Sequence, residues 1–206
     1  MNKDRAGVMI VLCAPSGTGK TTLARRLLAE FDRLTYSISY TTRQPRSGEV
    51  HGRDYFFITP ERFDKLRDEG FFAEWAQVHG HCYGTPLRDT LDLLEQGRDV
   101  IFDIDVQGAL QIKGRLATGC FVFLMPPSFA VLEQRLLGRG TDDDAAVRRR
   151  MVNAVREMQQ AHWFNAWIVN NDLERAYDSL RAVYLAAGLA PGYWPNLVES
   201  ILGERR

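Results

Sequence analysis

Residues 8–28 compress three elements into one short run. Val8-Met9-Ile10-Val11-Leu12-Cys13 is a continuous apolar stretch, the pattern of a parallel strand buried on both faces, and Leu23-Ala24-Arg25-Arg26-Leu27-Leu28 reads as a helix. Between them lies Ala14-Pro15-Ser16-Gly17-Thr18-Gly19-Lys20-Thr21-Thr22. A glycine loop that follows a strand and opens a helix converges backbone N–H groups on one point, which suits the phosphates of a nucleoside triphosphate. Gly17 and Gly19 allow the backbone to bend closely around an anion. Lys20 then supplies a mobile charge for the β- and γ-phosphates, and Thr21 a hydroxyl for Mg²⁺. The pattern G-x-x-x-x-G-K-[ST] has glycine where this chain has Ala14, a tolerable change if that residue keeps a negative φ. The alternative, a plain glycine turn between a core strand and a core helix, leaves the Ser-Gly-Thr-Gly-Lys-Thr run unexplained. Residues 14–21 are therefore the candidate ATP-binding loop, with Lys20 catalytic.

The rest of the chain bounds the context. Its 206 residues suffice for one sizeable core, and 26 basic against 26 acidic residues give no net charge, so neither nucleic acid nor an anionic membrane is expected as a partner. Cys13, Cys82 and Cys120 form no C-x-x-C pair, which points to a reducing compartment without disulfide framework or zinc site. The apolar run before the loop is too short for a signal peptide or a membrane span.

Further along, Tyr36–Ser39 reads as a short strand, and Arg43 and Arg46 stand three apart around a proline turn. They either converge on one anion, to which arginine donates bidentately, or decorate a solvated loop. Tyr55–Ile58 is a strand, and Thr59 caps a helix with Pro60 at its first position. Phe71–Val78 is a strand carrying Glu74 among apolar neighbours, either facing solvent or aimed into a site. His79–Pro86 reads as turns. Its His79, His81 and Cys82 are too few for a zinc site.

Asp99–Asp105 reads as a hydrophobic strand ending in carboxylates, where Asp103 could orient Mg²⁺ directly or through water, the alternative being a plain loop cap. Ser128 caps a helix ending at Leu137. Two glycines then flank Arg139, with Arg135 before them and Arg148-Arg149-Arg150 after, on a helix capped by Thr141. Mobile arginines beside a phosphate loop suit phosphoryl transfer; for Arg148 and Arg149 a charged surface is the better reading. Asp172 caps the helix Leu173–Ala187, and the aromatic tail after it is expected to pack back on the core.

Taken in order, several runs resemble guanylate kinases over nearly the whole length. They are Ser16–Thr21, Ser39–Glu49, Gly52–Phe57, Glu74-Trp75-Ala76, Tyr83-Gly84-Thr85, Asp103–Gly108 and Arg139-Gly140-Thr141. The resemblance implies an α/β P-loop kinase fold: a mostly parallel sheet flanked by helices, an inserted GMP-binding subdomain and a mobile lid. The core would span about residues 6–36, 87–126 and 160–188, the insert about 37–86, the lid about 127–159 and a tail 189–206. It further implies transfer of the ATP γ-phosphate to GMP with Mg²⁺, in the cytoplasm, with dGMP tolerance and oligomeric state left open. Arg43, Arg46, Tyr55 and Tyr83 match the GMP phosphate clamp, and Ser39, Glu74, Thr85 and Asp105 the guanine readers. Arg43, Arg135, Arg139 and Arg150 match the charge-neutralising arginines, and Asn170 an ATP-side residue, although Asn171 follows it where the family has aspartate. Guanine offers N1–H and N2–H₂ as adjacent donors for a carboxylate and O6 as an acceptor for a hydroxyl, in agreement with these types. Glu74 and Thr85 count against a ribose bisphosphate kinase. The intact loop and lid count against a phosphopeptide-binding relative that has lost catalysis.

Overall fold

The computed structural model describes residues 5–78, 80–116, 118–138 and 144–203. Arg139 and Thr141 lie outside these residues, as does His79.

A central sheet is built from β1 (Met9–Cys13), β2 (Leu34–Tyr36), β7 (Asp99–Asp103), β8 (Cys120–Met125) and β9 (Ala166–Val169), all parallel in the order β2-β7-β1-β8-β9. β1 is fully buried, as its unbroken apolar run requires, and lies between β7 and β8. From β1 the chain winds to one side through β2 and β7 and to the other through β8 and β9, so a crevice opens at the carboxyl end of β1. One face of the sheet packs Ile10, Leu12, Ile101, Val122 and Leu124 against α1 (Lys20–Glu30) and α7 (Leu173–Ala187). The other packs Met9, Val11, Phe102 and Phe123 against α4 (Val106–Arg115) and the Ala161–Trp163 turn.

A second sheet holds β3 (Tyr40–Thr41), β4 (Phe56–Phe57), β5 (Phe72–Val78) and β6 (His81–Pro86) in the order β4-β3-β6-β5. With α2 (Pro60–Asp68) it forms its own aromatic core of Phe63, Leu66 and Phe72. α3 (Leu87–Glu95) leads back to the first sheet. α5 (Phe129–Leu137) and α6 (Asp144–Gln159) pack through Leu132, Leu136, Val147, Met151 and Ala154.

Capping agrees with the sequence. Thr59, Ser128 and Asp172 accept hydrogen bonds from Arg62, Val131 and Arg175 N–H at 3.3, 3.2 and 2.9 Å. Three expectations are corrected. His79–Pro86 is not a run of turns: from His81 onward it is β6, inside the sheet between β3 and β5, because pairing on both sides outweighs its glycine and proline content. The strand expected over Tyr36–Ser39 lies earlier, at Leu34–Tyr36. The strand expected to run to Asp105 ends at Asp103, because the Asp105 carboxylate accepts from Gly108 N–H at 2.8 Å and caps α4. The tail does return to the core. Tyr193 is buried and its carbonyl accepts from Ala6 N–H, before α8 (Leu197–Gly203) closes the described chain. Among the described residues no helix is long and apolar enough to cross a membrane.

Candidate active site

The crevice is a cavity of about 950 Å³ between the two sheets, walled on one side by residues 14–22 and on another by α6. The loop's shape follows from its glycines. Gly17 has φ +92° and Gly19 φ +95°, which only glycine adopts readily. At Gly19 an added Cβ would lie 2.6 Å from Asn170 Nδ2, and that same amide donates to Thr18 O at 2.6 Å. Asn170 is therefore a buried peg that fixes the loop from behind. No side chain among the described residues caps α1, whose N-terminus faces the cavity with its dipole available to an anion.

Lys20 Nζ lies 2.5 Å from Asp103 Oδ1 and donates to Ile104 O at 3.0 Å. Burial pulls its ammonium down, but Asp103, with Cys13 and Glu157 adding, brings the net shift above the ordinary lysine value. The cation is thus charged and held at the mouth of the loop. Thr21 Oγ1 donates to Asp103 Oδ2 at 3.3 Å. A hydroxyl and a carboxylate side by side are hard oxygen donors, the chemistry that suits Mg²⁺ and its water shell.

On the opposite wall stand Ser39, Arg46, Tyr55, Thr85 and Asp105. Glu74 lies directly behind, 4% exposed, and its Oε1 accepts from the Thr85 hydroxyl at 2.6 Å. Burial raises its carboxyl to about 7, against the Thr85 bond, which favours the anion; the Asp105 charge adds to the rise. No cation is among the groups that shift it. Arg43 and Tyr83 are not on the wall. Arg43 is drawn to Glu49, with Nη2 2.9 Å from Oε1, and its guanidinium lies 5.5 Å from the Tyr55 ring. The Arg46 backbone N–H donates to the other Glu49 oxygen at 2.7 Å. The anion on which residues 43 and 46 converge here is thus Glu49.

On the α6 side, Arg150 Nη1 lies 3.5 Å from Ser16 Oγ, and Arg135 donates to Asn170 O at 3.1 Å. Of the three arginines singled out, Arg150 touches the loop directly and Arg135 touches Asn170, the peg behind it; Arg139 falls outside the described residues. Sequence reasoning missed Asn153, Glu157 and Gln160, which share the cavity wall with Arg150. Their spacing of three, four and three residues places them on one helical face, a signal that was available but looked like an ordinary charged surface. Burial raises the Glu157 carboxyl to about 7, with Lys20 opposing and Asp105 adding. It also missed Glu49 and Arg53, both on the wall.

The sheet order, the loop at the end of β1 and the facing wall of hydroxyls and carboxylates define a P-loop kinase with a second pocket opposite its phosphate loop. The guanylate kinase family model matches residues 6–187. The chain is 65% identical to a guanylate kinase of Oleidesulfovibrio alaskensis, over the whole of both chains. It is 62% identical to one of Nitratidesulfovibrio vulgaris, covering 93% of this chain and 92% of that one. A crystal structure of guanylate kinase from Anaplasma phagocytophilum superposes with a TM-score of 0.79 at 30% identity, covering 96% of this chain and 95% of that one. The chain belongs to the guanylate kinase family.

Proposed function

We infer that the chain transfers the γ-phosphate of ATP to GMP, giving ADP and GDP, with the acceptor held between β5, β6 and the Arg46–Tyr55 loop. An oxygen of the GMP phosphate attacks the γ-phosphorus in line, and the bond to the β,γ-bridging oxygen breaks as ADP leaves. Residues 14–21 cradle the ATP phosphates through backbone N–H groups. Lys20 leaves Asp103 for the β- and γ-oxygens, and Arg150 and Arg135, with Arg139, neutralise the charge that spreads in the transition state. Thr21 and Asp103 would hold Mg²⁺, directly or through water, which supplies further neutralisation of the polyphosphate. No covalent intermediate on the protein is required.

On the acceptor side Arg43, Arg46, Tyr55 and Tyr83 bind the GMP phosphate, which takes over the place Glu49 has as the anion facing Arg43. Ser39, Glu74, Thr85 and Asp105 read the base. The observation that carries the base assignment is the buried Glu74 carboxylate, whose one hydrogen-bonding side chain among the described residues is the Thr85 hydroxyl at 2.6 Å. Guanine N1–H and N2–H₂ are the two adjacent donors such a group needs; adenine meets it with a lone pair. Three free cysteines accord with a cytoplasmic enzyme.

Glu74→Gln tests the base assignment. It should lower kcat/KM for GMP by at least about 2 kcal/mol, roughly thirtyfold, with KM for ATP within about a factor of two. Wild-type GMP kinetics in that variant would refute Glu74 as the guanine reader.

A further inference from the structure

α4 is fastened to β5 along one face. Gln111 Nε2 donates to Trp75 O at 2.7 Å, and Trp75 N–H donates back to Gln111 Oε1 at 3.1 Å. One turn on, the Arg115 guanidinium bonds to Phe72 O. One turn earlier on the same face is Gly108, opposite Glu74. A Cβ built on Gly108 would lie 2.6 Å from Glu74 Oε2 and 3.2 Å from Glu74 Cδ, with Ile104 Cδ1 next at 3.4 Å. The Gly108 N–H meanwhile donates to Asp105 Oδ1 at 2.8 Å.

Glycine here is not explained by backbone conformation. Gly108 lies inside α4, where glycine is less favourable than alanine. What glycine provides is space, and the group that uses it is the Glu74 carboxylate. Because Gln111 and Arg115 hold the helix to β5, α4 cannot slide away from a new methyl group. The displacement falls on the end of a flexible side chain, so the fold survives and the carboxylate moves.

We propose that Gly108 is a specificity-determining positioning residue: its bare Cα sets where the Glu74 carboxylate sits, and its N–H orients Asp105, so that one residue fixes the carboxylates of both Glu74 and Asp105. This rests on the reading of Glu74 as the guanine reader. A methyl added at 108 meets the Glu74 carboxylate first, so its effect falls on the acceptor rather than on the ATP side.

The test is the kinetics of Gly108→Ala with GMP and with AMP, beside Glu74→Gln, Glu74→Asp and the double variant Glu74→Asp/Gly108→Ala. Gly108→Ala should keep or raise Tm, raise KM for GMP at least about tenfold and reduce the preference for GMP over AMP. Its KM for ATP should stay within about a factor of two. Aspartate is one methylene shorter and withdraws from the added methyl, so the double variant should recover part of the GMP kcat/KM lost by Gly108→Ala. If Gly108→Ala keeps wild-type GMP kinetics while Glu74→Gln loses them, the Gly108 proposal falls and the Glu74 reading stands. If Glu74→Gln itself leaves GMP kinetics intact, both fall. A lowered Tm with GMP and ATP affected alike, or a double variant no better than the product of its singles, would assign Gly108 a packing role and overturn the proposal.

Discussion

Lys20 and Asp103 form an ion pair of 2.5 Å at the mouth of the phosphate loop, and the second Asp103 oxygen accepts from Thr21 at 3.3 Å. One carboxylate therefore engages both loop side chains that a nucleotide needs. On the proposed function, ATP binding exchanges Lys20 from Asp103 to phosphate oxygens, and Asp103 and Thr21 would then be adjacent oxygen donors for a divalent cation.

Removing either partner should have different consequences. Lys20→Ala loses the mobile cation, and turnover should fall by about 10²–10³, equivalent to about 3–4 kcal/mol, with circular dichroism close to wild type. Asp103→Asn keeps the cation but weakens the metal side, so the Mg²⁺ concentration for half-maximal rate should rise at least about tenfold. A rate titration with Mg²⁺ at fixed ATP separates the two. An unchanged Mg²⁺ dependence in Asp103→Asn would remove Asp103 from the metal site.

The Glu74 carboxyl stands at about 7 rather than its ordinary 4.5. From pH 4.5 to 7 the folded chain keeps a proton that the unfolded chain has released. The stabilising contribution is full below about 4.5 and is lost as pH rises through about 7. Between those limits the wild type should lose about 3 kcal/mol relative to Glu74→Gln. The comparison must be made with that variant, because Glu157 also titrates at about 7. Catalysis should show the opposite preference. Guanine's two donors need the carboxylate, so KM for GMP should rise as pH falls below about 7, and this dependence should vanish in Glu74→Gln. Parallel pH profiles for the two proteins would exclude Glu74 as the group responsible.

At the other end of the sheet, buried Asp99 accepts from Val8 N–H at 2.7 Å, Arg5 at 2.8 Å and the Tyr184 hydroxyl at 2.6 Å. This cluster ties the start of β7 to α7 and lies far from the crevice. Tyr184→Phe leaves a buried carboxylate short of one donor and should cost about 1.5–3 kcal/mol in chemical denaturation. Its kcat and KM values should be unchanged. A fall in kcat/KM at constant stability would contradict the separation of the two ends.

A Cβ added at Gly17 would lie 3.2 Å from Leu136 Cδ2 and 3.4 Å from Leu132 Cδ1 of α5, and Arg150 of α6 reaches Ser16, so this helix pair abuts the loop. With ATP and GMP bound together, amide exchange in residues 138–150 should slow far more than with either nucleotide alone. The acceptor sheet, residues 39–85, should respond chiefly to GMP. Equal protection of the α5–α6 region in the free and doubly bound protein would exclude closure.

How much of this was legible in the sequence depended on whether the information is local. β1, β7 and β8 are continuous apolar runs, and Thr59, Ser128 and Asp172 announce their helices, so these elements were readable. β6 was not, because Gly80, Gly84 and Pro86 read as turns until β3 and β5 flank the segment. The burial of Glu74 was left open, since a carboxylate on a strand reveals its direction only when the facing helix is known. Asp105 looked like the end of a strand because the partner that makes it a cap, Gly108 N–H, exists only once α4 has formed. Glu157 and Asn153 resembled any charged helix. Their place on the cavity wall is set by how α6 packs on α5, a long-range consequence of Leu132, Leu136, Val147 and Met151.

The central claim is phosphoryl transfer from ATP to a guanine mononucleotide. Its most direct test is ADP release measured with the purified chain, ATP and Mg²⁺, offering GMP, AMP, CMP, UMP and ribose 1,5-bisphosphate in turn. The chain should turn over with GMP, yielding GDP and ADP in equal amounts, with a kcat/KM for AMP at least about tenfold lower, the discrimination of a hydrogen-bonding site against a base that leaves its carboxylate unpaired. Equal use of AMP, turnover with ribose 1,5-bisphosphate in preference to GMP, or GMP binding without ADP release would contradict it.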